Sequence, residues 1–123
     1  MVLENELFLS LGYCGFMLAL FLIFQAFPPK KINHIYGYRT ARSMANETVW
    51  KDANNYSMKL GVQLGLWGML LPLFYYFIWP EQLLLATVIT HTGLLLLIVI
   101  GTERYLDQRY DKKGQPKNTT PKD

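Results

Sequence analysis

Three stretches of the chain carry almost nothing but apolar side chains. "LFLSLGYCGFMLALFLIFQAF" (Leu7 to Phe27) and "LGVQLGLWGMLLPLFYYFIW" (Leu60 to Trp79) hold no charge, and "LLLATVITHTGLLLLIVIG" (Leu83 to Gly101) has His91 as its sole ionisable group. Each runs 19 to 21 residues. A helix needs about 20 residues to cross the ~30 Å hydrocarbon layer. Helices buried in a soluble core keep a polar stripe, and these runs have none. The pattern predicts an all-α membrane protein with three transmembrane helices.

Between the first two runs the pattern changes. Pro28 and Pro29 end the first helix and force an extended exit. Asn46 is a good N-cap, and Glu47 behind it suits the positive helix end. On a helical wheel Val49, Trp50, Ala53, Tyr56, Ser57 and Leu60 share one arc. Glu47, Thr48, Lys51, Asp52, Asn54, Asn55 and Lys59 cover the other. This predicts an amphipathic helix lying in the membrane interface between the first and second spans, with a bend into helix two near Ser57 and Gly61. Trp50, Tyr36 and Tyr38 favour such an interface. In helix two, Gly61 and Gly65 have the small-residue spacing that lets two helices approach closely, and Pro72 predicts a kink. After Gly101, "TERYLDQRYDKK" keeps helical spacing, while "KGQPKNTTPKD" (Lys113 to Asp123) predicts a disordered tail. The layout is one three-helix domain over residues 1–112, with a motif-bearing loop at 28–59 and a tail at 113–123.

Charge changes the picture by giving it a direction. The 123 residues carry a net charge of +3, and all twelve Lys and Arg fall either between helices one and two or after helix three. The N-terminal flank and the "PEQ" link at Pro80 to Gln82 have none. The positive-inside bias then puts the N-terminus outside and both basic segments in the cytoplasm. The basic residues hug the membrane and mix with acids, so the lipid bilayer is the expected partner and direct nucleic-acid binding is not. The first run is too long for a signal peptide, and its flank (Glu4, Glu6) is acidic. The single cysteine, Cys14, excludes an intrachain disulfide and reads as a packing residue.

Candidate chemistry is sparse. No metal-binding spacing, phosphate loop or nucleophile constellation occurs, so no metal, cofactor or catalytic residue is expected. No carboxylate sits within a span. His91 is a mid-membrane ionisable residue, which invites a functional reading. It reads either as a tie hydrogen-bonded to a Thr of a neighbouring helix or as a ligand or proton site.

The loop is the most specific part of the sequence. Asn33, Gly37, Arg39, Thr40, Ser43, Asn46 and Asn54 supply donors and acceptors beside a membrane surface. Gly37 between Tyr36 and Tyr38 suggests a tight turn, and Arg39 can fork onto a carboxylate, a phosphate or helix-end carbonyls. "INHIYGYRTARSMANETVWKDAN" (Ile32 to Asn54) resembles the signature of the SdpI family: Asn33, Gly37, Tyr38, Arg39, Thr40, Ser43, Asn46, Trp50 and Ala53 agree in type and order, with Asn54 following. The flanking spans resemble the family in layout. The resemblance implies a multi-pass bacterial membrane protein. The family's named member is an immunity protein against a secreted sporulation-delaying toxin, captures a DNA-binding repressor at the membrane, and has extra spans before its signature domain. Toxin immunity or envelope-stress protection is therefore the leading expectation, with a toxin peptide or regulatory protein as partner. The binding residues would be the motif's Asn33, Gly37, Tyr38, Arg39, Thr40, Ser43, Asn46, Trp50 and Asn54, together with His91. Two other readings stand beside it. One is a membrane enzyme or transporter with His91 and Arg39 in a site between helices. The other is a structural subunit of a membrane complex. Three helices make a small bundle, so a homo-oligomer fits each reading.

Overall fold

The computed structural model of the chain describes residues 1–117. Four helices account for most of them: α1 (Val2–Ala26), α2 (Glu47–Gly68), α3 (Leu71–Ile78) and α4 (Leu83–Arg109), with a 3₁₀ turn at Pro80–Gln82 between the last two. Three helical stretches are long and apolar enough to cross a membrane: Val2–Ala26, Glu47–Ile78 and Pro80–Arg109. The fold is all-helical, with one isolated β-bridge, Tyr110 to Pro116, among the described residues.

Local chemistry sets the helix ends. Phe27 closes α1 by donating its N–H to Ile23 O, and Pro28 and Pro29 cannot continue the ladder. Asn46, in extended conformation, caps α2 by accepting the Val49 N–H, with Glu47 in the first turn. α2 gives way to α3 at Met69 and Leu70. Pro72 sits in the first turn of α3. It has no N–H, and its ring excludes the carbonyl four residues back, so the second spanning stretch is broken there.

The separate interfacial helix is not present. The amphipathic segment from Glu47 is the first half of α2, which runs on to Gly68 without a break. Its apolar arc faces protein rather than headgroups: Val49, Trp50, Ala53 and Ser57 are all buried. The indole N–H of Trp50 donates to Pro29 O at 2.9 Å, so the loop leaving α1 folds down over the arc. Tyr38 is likewise buried.

The buried apolar core sits at this end of the bundle. Tyr38, Val49, Ala53, Leu106 and Tyr110 form one cluster, with Tyr105 against it. Along the spanning lengths the contacts are between small and large residues. A Cβ on Gly61 would lie 2.4 Å from Phe21 Cδ1, one on Gly65 3.1 Å from Leu18 Cδ1, and one on Gly68 3.1 Å from His91 Cδ2. The Gly61–Gly65 spacing therefore does bring α2 close to α1. Large apolar side chains such as Phe8, Phe16, Trp67, Phe77 and Ile89 point outward, as a lipid-facing surface requires.

Residues 113–117 depart from the disordered tail expected for residues 113–123. Lys113 to Lys117 fold back on α4. The Asp111 and Gln115 backbones pair at 2.9 Å, Lys117 N–H donates to Arg109 O at 2.9 Å, and Asn46 Nδ2 donates to Gly114 O at 2.9 Å. Gly114 takes φ +81° at this turn. Residues 118–123 of that tail lie outside the described residues.

Candidate functional site at the basic end of the bundle

The loop between α1 and α2 is held from below by two side chains one helical turn apart on α2, Trp50 and Asn54. Asn54 Oδ1 accepts the Tyr38 N–H at 2.7 Å, and its Nδ2 donates to Trp50 O at 2.9 Å. Both are buried, so neither polar group has water as an alternative. Gly37 meets them with φ +107°. A Cβ there would stand 2.7 Å from Asn54 Oδ1 and 2.8 Å from Pro29 Cγ. The position is reserved for glycine by both conformation and space.

The remaining motif residues close the loop on itself. Asn33 Oδ1 accepts the N–H groups of Ile35 and Tyr36, both at 2.9 Å. Ser43 Oγ accepts the Thr40 N–H at 2.8 Å and donates to Tyr38 O at 3.0 Å, and Thr40 Oγ1 accepts the Ser43 N–H at 3.1 Å. Asn46 links the α2 cap to the returning chain. The motif's residue types thus read as a list of internal hydrogen-bond partners around one buried indole.

Arg39 differs from its neighbours. It is exposed. Its guanidinium donates to the His34 carbonyl, and it meets neither Glu47 nor Asp52. Beside it, Ile35 is 86% exposed and Tyr36 37%. The tip of the loop therefore presents an arginine, an isoleucine and a tyrosine on a well-braced frame.

His91 stands apart. Tyr38 reaches α4 at Val99 O (3.3 Å) and Glu103 Oε1 (2.6 Å), at least two turns beyond His91. The His91 ring is buried, with its edge against Tyr13 at 5.0 Å between centroids. Its Nδ1 has no hydrogen-bond partner among the described residues. The expected tie to a threonine of another helix is not made. That role falls to Tyr75 and Thr90, whose hydroxyls are 2.6 Å apart between α3 and α4.

Several residues outside the motif complete the site. Arg42 pairs with Asp107 at 2.8 Å and donates to Tyr110 O at 3.1 Å. Asp52 accepts the Tyr105 phenol at 2.7 Å and the Tyr110 phenol at 2.8 Å, one on each oxygen. Tyr105 stacks on Tyr56 at 4.0 Å, with the Arg109 guanidinium over its ring. Burial, followed by the Asp52 carboxylate, pushes the Tyr110 phenol up to about 12. Burial and then Glu103 hold the Tyr38 phenol well above its ordinary value. The spacing of Glu103 and Asp107, one turn apart on α4, was the available signal that this face looks onto the loop.

A cleft of about 410 Å³ opens beside this network, between the end of α1 and α2, and is walled by Gln25, Asp52, Asn55, Lys59 and Tyr105. Among the described residues no group of three or more His, Cys, Asp or Glu side chains could hold a metal ion. The arrangement is suited to holding a polar or charged group.

Residues 30–102 match the SdpI/YfhL protein family. The chain is also 46% identical over 52 residues to an uncharacterized protein, YfhL, of Bacillus subtilis (strain 168), a match covering 42% of this chain and 47% of that relative. The match thus spans about half the length of that relative. No solved structure matches the chain.

Proposed function

This chain belongs to the SdpI family, and from that premise we propose that it is an immunity protein of the bacterial cell membrane, protecting its cell by binding a toxin peptide at the tip of the motif loop. The observation that carries this reading is a contrast of exposure within the motif. Its other polar residues make their internal hydrogen bonds at buried or half-buried positions, whereas Arg39 gives one bond to the His34 carbonyl from the surface. Arg39 is exposed, next to Ile35 and Tyr36, on a frame already ordered. A preordered tip loses little entropy on binding, and a guanidinium forks onto a carboxylate as lysine cannot. The neighbouring apolar surface supplies contact area.

The test is survival of cells exposed to the secreted toxin, with each variant at matched membrane levels. Arg39→Lys keeps the charge but loses the fork. A hydrogen bond to a charged group is worth roughly 1.5–3 kcal/mol, so protection should drop steeply. Ile35→Glu should do the same. If Arg39→Lys protects as well as the parent, the loop tip is not the binding surface and this reading fails.

A further inference from the structure

A second cavity, of about 310 Å³, lies deeper in the bundle. Met17 and Phe21 of α1 and Leu95 and Ile98 of α4 line its sides, and Gly37 and Tyr38 of the motif border it. It shares two walls, Phe24 and Met58, with the polar cleft. A third, smaller space of about 170 Å³ shares the walls Pro28, Asn54 and Asn55 with the cleft and is lined also by Lys30 and Lys51. The three neighbour one another through these shared walls, with apolar lining among the spanning helices and polar lining at their end.

The polar compartment is cationic. Lys51, Asn55 and Lys59 fall on one stripe of α2 at i, i+4 and i+8, and Lys30, at the exit of α1, lines the smallest space with Lys51 and Asn55. None of the three lysines has an acid within salt-bridge distance among the described residues. The carboxylate on the wall, Asp52, has both oxygens occupied by phenols. Asp52 keeps its charge but is turned onto the phenols, so three lysines against one carboxylate leave the cleft net cationic.

We propose that this end of the bundle holds one anionic phospholipid. The phosphate sits over Asn55 between Lys51 and Lys59, and one acyl chain passes Phe24 and Met58 into the apolar compartment. The match is of charge with charge and of depth with depth. Headgroup phosphates and basic side chains meet at the membrane surface, and the compartment between Met17, Phe21, Leu95 and Ile98 lies at the level of the acyl chains. The bound lipid braces the motif from beneath, because Gly37 and Tyr38 border the acyl compartment.

The test uses the purified full-length chain and no toxin, so its outcome is independent of the immunity reading. The chain is exchanged into detergent with palmitoyl-oleoyl phosphatidylglycerol or the matching phosphatidylcholine, and retained lipid is counted by native mass spectrometry. One phosphatidylglycerol should be retained in preference to phosphatidylcholine. Lys51→Gln and Lys59→Gln should each weaken retention roughly fivefold. Leu20→Trp, which fills the apolar compartment from α1, should abolish it with the lysines intact. Should that variant fail to fold, Val99→Phe narrows the same compartment from α4. Tail-less glycerophosphoglycerol should not compete. Equal retention of the two lipids, or indifference to both lysine changes, overturns the headgroup assignment. Full competition by the tail-less phosphodiester, or full retention in the folded compartment-filling variant, overturns the acyl assignment.

Discussion

Gly37 is where a single atom decides the most. Its φ of +107° is strained for any residue with a side chain, and an added Cβ would be 2.7 Å from Asn54 Oδ1. Gly37→Ala should therefore lose roughly 2–4 kcal/mol of stability, read as a lower thermal midpoint in detergent. Gly93 makes the contrast, because a Cβ there meets nothing within 4 Å. In the interior of α4, Gly93→Ala should be neutral or stabilising by up to about 1 kcal/mol. A second residue-level outcome concerns Tyr110. Its phenol is pushed up to about 12 from an ordinary value of 10.0. The folded chain thus holds that proton more tightly than the unfolded chain. The associated stability is complete below pH 10 and is lost as the pH climbs from 10 toward 12, where the unfolded chain ionises first. Tyr110→Phe removes this term. Thermal midpoints measured across pH 9 to 12 should fall less steeply for the variant than for the parent, and parallel slopes would show that neither burial nor the Asp52 contact holds the proton.

At the scale of elements, the packing of α2 on α1 runs through Gly61 and Phe21. A methyl at Gly61 would stand 2.4 Å from the Phe21 ring, so Gly61→Ala should destabilise, and Phe21→Ala should destabilise by opening a cavity. Made together, the two changes relieve each other, and the double variant should lie about 1 kcal/mol or more above the sum of the singles. Strict additivity in unfolding experiments would mean that the two helices do not meet there. The Gly61 and Gly65 spacing was legible in the sequence, as were the spans, the Asn46 cap and the break at Pro72, because each depends on residues a few positions apart; that Phe21, 40 positions away, is the partner of Gly61 was not. The fate of the amphipathic arc was not. An arc of Val49, Trp50 and Ala53 fits headgroups and protein equally well. What decides is the Trp50 to Pro29 bond, 21 residues apart in sequence. The Asp52 pair with Tyr105 and Tyr110 spans 53 and 58 residues, and the tie from Asn46 to Gly114 spans 68. No local pattern announces such contacts. The sequence motif therefore did not name the hydrogen-bond partners of its residues, and the expected site joined it to His91, which lies at least two turns from where Tyr38 meets α4.

At the scale of the whole molecule, the two basic segments share one end. Arg42 pairs with Asp107, and Asn46 bonds to Gly114, which fastens the loop after α1 to the chain leaving α4. Val2, Leu3 and Glu6 line one shallow cavity with Pro80 and Glu81 at the other end. Among the described residues the protein thus has one end bearing the Lys and Arg side chains and another bearing Glu4, Glu6 and Glu81. Lys and Arg near a span resist translocation, so the basic end should face the cytoplasm and the N-terminus should lie outside. In a Cys14→Ala background, an impermeant thiol reagent applied to intact cells should label Glu4→Cys. It should leave Lys30→Cys and Lys59→Cys unlabelled until the membrane is permeabilised. A reporter active only in the cytoplasm should work when fused after Asp123 and fail when fused before Leu7. The two methods probe different residues, so a labelling artefact at one position would not reproduce in the fusions. Labelling of Lys30→Cys in intact cells together with a silent C-terminal reporter would invert the molecule. The Arg39 tip would then face outward, where a secreted toxin arrives first, and the immunity reading would shift from intercepting the toxin at the inner surface to meeting it outside.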